Sequence, residues 1–310
     1  MSLSFITNVL DYLHGNRTII FNSRSIIQIL AKKIGDRSAS NYENLEKTRV
    51  FIIEMFQKYG ALPAEEKYTV DGREFANIIV EIPGKRKFRD EIIIIGAHYD
   101  TIEGSAGAND NATGIAGLIE LYRILSKHTY QRTIRFIAFT LEEPPYFNSD
   151  SMGSMVHAAR CVKKKEKISL MISLDMLGFA GRFVKQIYPL EEMKDKYPVN
   201  GDFLSVTALP SFSQYAFMLK KIYNAHALKN NKIHEFVAPA SIEGINLSDH
   251  MSFHKHGFPA VMITDTGFYR NKSYHTEYDT EDTINYRFLA ENIYTLSQTI
   301  KDVLNKKSIP

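Results

Sequence analysis

Continuous aliphatic runs alternate along this chain with segments whose apolar residues return at helical spacing. Between Leu45 and Tyr59 the apolar positions Leu45, Ile52, Met55, Phe56 and Tyr59 predict a helix, which Gly60 ends. "FANIIVEIPG" and "DEIIIIGAHYD" read as strands, the second aliphatic on both faces and therefore buried in a sheet. "DNATGIAGLIELYRILSK" carries the stripe Ile115, Leu118, Ile119, Tyr122 and Leu125, with Asp110 or Asn111 placed to cap its start. A strand "RTIRFIAFT", a loop "EEPPYFNSDSMGS", a helix through His157 and Ala159 and a buried strand "KISLMISLD" follow. Residues 178–247 are less regular, with "SQYAFMLKKIY" helical. "SDHMSFHKHG" predicts a short helix capped by Ser248, "FPAVMITDT" a strand, and "YRNKSYHTEYDTEDT" a polar loop. Leu289, Ile293, Leu296, Ile300 and Val303 form a closing helix.

This alternation predicts an α/β fold: a three-layer αβα sandwich around a central, mostly parallel mixed sheet. The chain reads as a single domain over 1–310. Residues 1–70 supply packing helices and an edge strand, and residues 178–247 form a flap or pocket region within the domain.

In such sheets, ligands bind beyond the carboxyl ends of the strands. His98, Tyr99 and Asp100 follow "EIIIIGA", Glu142 and Glu143 follow "RFIAFTL", and Asp175 follows "LMISL". His275 lies in the loop after "AVMITDT", and Asp110 sits in "GANDN" before a helix. Singly, each has an ordinary explanation as a loop hydrogen bonder or a helix cap. Together they place imidazole and carboxylate donors, without thiolate, at one sheet edge, a set that suits zinc, cobalt or manganese. They exceed the three or four ligands of one catalytic zinc. A carboxylate such as Asp110 can bridge two ions about 3.5–4 Å apart. Cations also explain the adjacent carboxylates of "LEEPP". Successive residues at a strand end point in different directions. One of Glu142 and Glu143 can bind metal while the other serves as a general base.

Composition narrows the function. The 310 residues are 44% hydrophobic, enough for a sizeable core. The net charge is +3 and the lysines are scattered apart from Lys163, Lys164 and Lys165, so there is no footprint for nucleic acid or an anionic membrane. One cysteine, Cys161, excludes an internal disulfide and a cysteine-rich zinc module. No apolar run reaches the length of a membrane span. "MSLSFITNVLDYLHGNRTIIF" lacks a basic start followed by a long apolar stretch, so no signal peptide is expected and the compartment stays open.

The segments "GAHYDT", "GANDNATG", "FTLEEPPYF" with "MGS", "ISLDMLG", "SDHMSFHKHGFPAV" and "YHTEYDTEDT" occur in that order between about Phe75 and Thr283. In these the chain resembles the M28 family of zinc aminopeptidases. The resemblance implies a two-zinc exopeptidase of the zinc-aminopeptidase fold, acting on the N-terminal bond of a peptide, with cobalt or manganese as possible substitutes. It implies that His98 and Asp175 complete one metal site, that Glu143 and His275 complete the other, and that Asp110 bridges them. Glu142 would be the base that takes a proton from the attacking water, and Asp100 would join the catalytic set by orienting His98. The peptide after Asp110 is often cis in this family. Tyr146, Tyr269 and Tyr274 are the candidates for a substrate or oxyanion donor, and Asp249 for a group behind the ligands. His254 and His256 are assigned to surface or packing roles.

Zinc-dependent glutaminyl cyclases share the fold and several motifs, including the Glu-Glu pair, but bind one zinc. Their pocket relies on tryptophan, and this chain has none. Carboxypeptidases and amidohydrolases acting on small amides are further relatives. A binding domain that lost the site is disfavoured because every expected ligand is present.

Overall fold

The computed structural model describes residues 3–85, 87–227 and 231–310, with side chains from residue 15 onward. Helix α1 (Leu3–Ile27) runs into a wider turn, Gln28–Ile34, and helix α2 (Tyr42–Lys58) follows. Gly60, at φ 83°, turns the chain toward strand β1 (Ala64–Val70). β1 pairs antiparallel with β2 (Arg73–Ile82) around Asp71 and Gly72, both at positive φ.

The remaining elements are β3 (Phe88–His98), α3 (Gly114–Leu125), β4 (Arg132–Phe139), α4 (Gly153–Lys164) and β5 (Lys167–Leu174). They continue with β6 (Leu204–Ala208), α5 (Ser213–His226), β7 (Ile233–Val237), α6 (His250–Lys255), β8 (Ala260–Thr264) and α7 (Tyr286–Asn305). All strands join one 8-stranded sheet in the order β1-β2-β4-β3-β5-β8-β6-β7. β4, β3, β5 and β8 are mutually parallel, while β2 and β6 pair antiparallel on either side of them.

The aliphatic run of β3 divides by the strand period of two. Ile93 and Ile95 enter the large core with α1, α2, α3, α5 and α7, whereas Ile92 and Ile94 pack on the opposite face with Ala158, Cys161 and Phe253 of α4 and α6. The expected three-layer sandwich with a mostly parallel mixed sheet is present.

Two expectations change. Residues 178–247 contain β6 and β7, short strands whose polar residues break the aliphatic run that marks the other strands of the parallel core. Ser248 does not cap α6; its hydroxyl pairs with Ser173 Oγ on β5 at 2.8 Å.

Candidate metal centre

Because β4, β3, β5 and β8 are parallel neighbours, their carboxyl ends open at one edge of the sheet. His98 is the last residue of β3, Asp175 directly follows β5, and Glu142 and Glu143 follow β4. His275 arrives on the loop after β8. Asp110 lies in the wide turn Ala108–Thr113, where it and Asn111 depart from helical backbone angles.

Asp110 presents a different oxygen to each histidine. Its Oδ1 is 3.3 Å from His98 Nε2, and its Oδ2 is 3.2 Å from His275 Nε2. Asp175 Oδ1 lies 3.8 Å from His98 Nε2, and Glu143 Oε2 lies 3.2 Å from His275 Nε2. The potential donor atoms of His98, Asp110 and Asp175 lie within 4.8 Å of one another, and so do those of Asp110, Glu143 and His275. The same spacing groups His98 with Glu142 and Glu143.

Side chains around these residues fix their backbone. Asp100 accepts from the N–H groups of Glu142 and Glu143 at 3.1 and 3.0 Å, so its carboxylate aims the pair. His98 Nδ1 pairs with the Asp100 carbonyl at 3.2 Å and lies 3.7 Å from its carboxylate. Asn111 brackets Asp175: its Nδ2 donates to Leu174 O and its Oδ1 accepts from Met176 N–H. Asn109 Oδ1 accepts from Gly178 N–H, and its Nδ2 donates to Asp265. The Asp110–Asn111 peptide is cis. Gly114 must lack a side chain, since a Cβ there would lie 2.3 Å from Asn111 Oδ1 and 2.5 Å from Leu174 O. Leu141 and Met176, beside Glu142 and Asp175, sit at φ 58° and 57°, a left-handed conformation that costs a bulky residue about 1 kcal/mol or more.

Arg37 is buried and donates from Nε to Tyr99 O and from Nη2 to Gly107 O. Its Nη1 reaches the carbonyls of Leu30, Gly35 and Ala106. It thereby ties the N-terminal turn to the loop that joins His98 to Asp110.

Burial and mutual charge shift the titration of this cluster. Burial and the charges of Glu143, Asp175 and Asp249 push the Glu142 carboxyl well above its usual range. Burial and Asp110 push Glu143 up to about 7. Burial opposes the charge on His275, but Asp110 and Glu143 raise its pKa to about 10. For His98, burial is likewise outweighed, by Glu142, Asp100, Asp110 and Asp175. Two buried oxygens, Glu143 Oε1 and Asp175 Oδ1, have no hydrogen-bond partner among the described residues. Buried carboxylate oxygens normally have one. An imidazole and carboxylate set with free buried oxygens fits metal ions.

Of the three tyrosines, Tyr274 lines the cleft with the candidate ligands. Tyr269 lines the neighbouring cavity and donates to Glu243 O, while Tyr146 donates to Asp71 Oδ2. Asp249 is buried, with neither carboxylate oxygen hydrogen-bonded among the described residues, and burial pushes its pKa up to about 7. His254 pairs with Ala260 O and stacks on Phe212, and His256 pairs with Ser252 O.

Two cavities meet at this edge. The ligand cleft, of about 760 Å³ with its mouth, is lined by His98, Asp110, Glu142, Glu143, Asp175 and His275. An apolar cavity, of about 980 Å³ with its open mouth, adjoins it, with walls that include Tyr188, Leu190, Met193, Phe236 and Ile245. Met176, Glu243, Leu247, Phe268 and Tyr274 border both.

Comparison with known proteins gives the family and the fold. The profile of Peptidase family M28 matches residues 77–300. YfbL of Escherichia coli, described as an uncharacterised protein, is 35% identical over 86% of this chain and 82% of its own. A probable leucine aminopeptidase of Arthroderma otae is 24% identical over 73% of this chain, which spans only 56% of that relative. The fold is that of BSAP, a zinc aminopeptidase from Bacillus subtilis (TM-score 0.73, 14% identity, covering 94% of this chain and 96% of that one). It is also the fold of Porphyromonas gingivalis glutaminyl cyclase (TM-score 0.67, 19% identity, 92% and 98% covered). No described helix is long and apolar enough to cross a membrane. The match over most of the chain and the 35% identity to YfbL place it in peptidase family M28: it is an aminopeptidase-like metallopeptidase, a hydrolase of peptide bonds.

Proposed function

We propose that this protein is a two-zinc aminopeptidase that removes N-terminal residues with large apolar side chains. The observation that carries the reading is the bridging posture of Asp110, one oxygen toward His98 and the other toward His275. In this reading His98, Asp110 and Asp175 hold one ion, and Asp110, Glu143 and His275 hold the second. Cobalt or manganese could substitute for zinc at such ligands. Bound there, the ions would polarise the scissile carbonyl and acidify the attacking water.

The chain's own residues do the rest. Glu142 lines the cleft, its backbone held by Asp100, and is the base that takes the water proton and returns it to the leaving amine. Among the described residues the cleft lining carries carboxylates and no lysine or arginine. Two divalent ions would offset the charges of Asp110, Glu142, Glu143 and Asp175, and the carboxylate of Glu243, left over in the lining, supports a cationic N-terminal amine over a C-terminal carboxylate. The adjoining apolar cavity supports a bulky apolar first side chain.

The test is zinc content together with product analysis, on wild type and Glu142→Gln. The protein is assayed on aminoacyl p-nitroanilides and on peptides with N-terminal glutamine. About two zinc ions per chain in both proteins, with hydrolysis confined to wild type, are expected. One zinc with a pyroglutamyl product would make the protein a cyclase instead.

A further inference from the structure

Three successive backbone N–H groups leading to Asp110 converge on one distant residue. Ala108 N–H donates to the Asp279 carbonyl at 3.1 Å. Asn109 and Asp110 N–H donate to Asp279 Oδ1 and Oδ2, each at 2.9 Å. Asp279 is fully buried and lies on the loop that carries His275. That loop is closed on itself: Thr276 N–H donates to Ser273 O and Asp279 N–H to Thr276 O. His275 and Asp279 therefore move as one piece, and Asp279 docks that piece onto the Asp110 turn.

The docking has a stability cost. It places a buried carboxylate beside the charge of Asp110, with the Arg37 guanidinium as the compensating cation nearby. An amide side chain could join the same loops without adding negative charge, but it offers one acceptor where two N–H groups need one each. The doubly accepting carboxylate therefore suits registration of Asp110 against His275, whose facing atoms are 3.2 Å apart.

We propose that Asp279 is a positioning residue that sets the spacing of Asp110 and His275. It thereby controls the affinity of the metal position made by Asp110, Glu143 and His275 more than that made by His98, Asp110 and Asp175. The proposal rests on the two-metal reading above. In Asp279→Asn, an NH₂ group replaces one acceptor and faces a backbone N–H. In Asp279→Glu, the carboxylate is kept one methylene further out.

The experiment is a cobalt titration of the metal-free protein, followed by calorimetry and by visible absorption of the bound ion, which reports ligand geometry. Wild type should take up two ions. In Asp279→Asn one dissociation constant should weaken about 10- to 100-fold and the second-ion spectrum should change, while the other constant moves less than about threefold. Asp279→Glu should recover part of the loss, and it carries the same comparison if the asparagine variant does not fold. Two ions bound by a variant with both constants unchanged, or both weakened equally, would overturn the proposal and leave the two-metal reading intact. Fewer than two ions in wild type would overturn both.

Discussion

The Tyr274 ring stacks on the His275 imidazole, with centroids 3.8 Å apart and planes 16° from parallel. His275 is half-buried and sits at φ 59°, so its backbone alone does not fix the ring. The stack holds the ring plane and hence the direction of Nε2 toward Asp110 and Glu143. Tyr274 also lines the cleft, as neither Tyr146 nor Tyr269 does, and is therefore our candidate to steady an oxyanion. Tyr274→Phe keeps the stack and removes the hydroxyl. We expect kcat to fall about 100-fold, with metal content and KM little changed. Tyr274→Leu removes both, and should also lose metal during dialysis. Steady-state kinetics with metal analysis separates the two roles, and full activity in Tyr274→Phe would leave the tyrosine a packing role only.

Arg37 makes a prediction about stability. Its guanidinium serves the carbonyls of Leu30, Gly35, Tyr99, Ala106 and Gly107, and burial lowers its pKa to about 10. Arg37→Ala leaves those buried acceptors without a donor, at about 1–3 kcal/mol for each one that water cannot reach. Arg37→Lys keeps the charge but not the fork, so it should rescue only part. We expect a loss of about 3 kcal/mol or more for the alanine variant in urea unfolding, together with weaker metal retention, because the braced loop joins His98 to Asp110. An alanine variant within about 0.5 kcal/mol of wild type would show that water replaces the guanidinium there.

The contrast between Arg37 and His98 marks what the sequence made legible. His98, Glu142, Glu143 and Asp175 end or follow buried aliphatic runs, and a parallel sheet brings such ends together. Asp110 and His275 lie on loops, where their place beyond the strands made them candidates and the family motifs implied their roles. Arg37, Asn109, Asn111 and Asp279 act through backbone carbonyls and N–H groups, mostly of distant loops, as in the Asp279 to Asp110 bond across 169 residues. Such bonds leave no periodic signature. The role read for Asp100 was to orient His98, yet its carboxylate also holds the amides of Glu142 and Glu143. β6 and β7 escaped the pattern because polar residues interrupt them, whereas β8, of the same length, is a continuous apolar run up to its last residue.

Leu247 borders both cavities and is 37% exposed, so it can be enlarged without disturbing the core. Leu247→Trp should narrow the passage from the ligand cleft into the apolar cavity. We expect kcat/KM for leucyl and phenylalanyl substrates to fall about tenfold or more, while alanyl substrates, which do not fill the cavity, change little. The readout is the ratio of kcat/KM values across the substrate panel. A uniform loss for all three would mean that the first side chain does not enter this cavity.

The protons stored in the metal-free cluster give a pH dependence with a definite sign. The pKa of His275 rises from 6.5 to about 10: burial opposes the charge, but Asp110 and Glu143 outweigh it. The stability it contributes is therefore fully present below pH 6.5 and is lost as pH rises through about 10. Glu143, raised from 4.5 to about 7 by burial and by Asp110, acts with the same sign over its own window. Metal binding must expel these protons, since the ligating forms are neutral imidazole and carboxylate. The metal-free protein should thus lose thermal stability steadily from about pH 6 to pH 10, while the zinc-loaded protein stays nearly level and the gap between them widens. Melting curves of both forms across that range measure the gap directly. A metal-free protein whose Tm does not fall between those limits would show that the cluster does not retain its protons, and the excess of buried negative charge would then need another counter-charge.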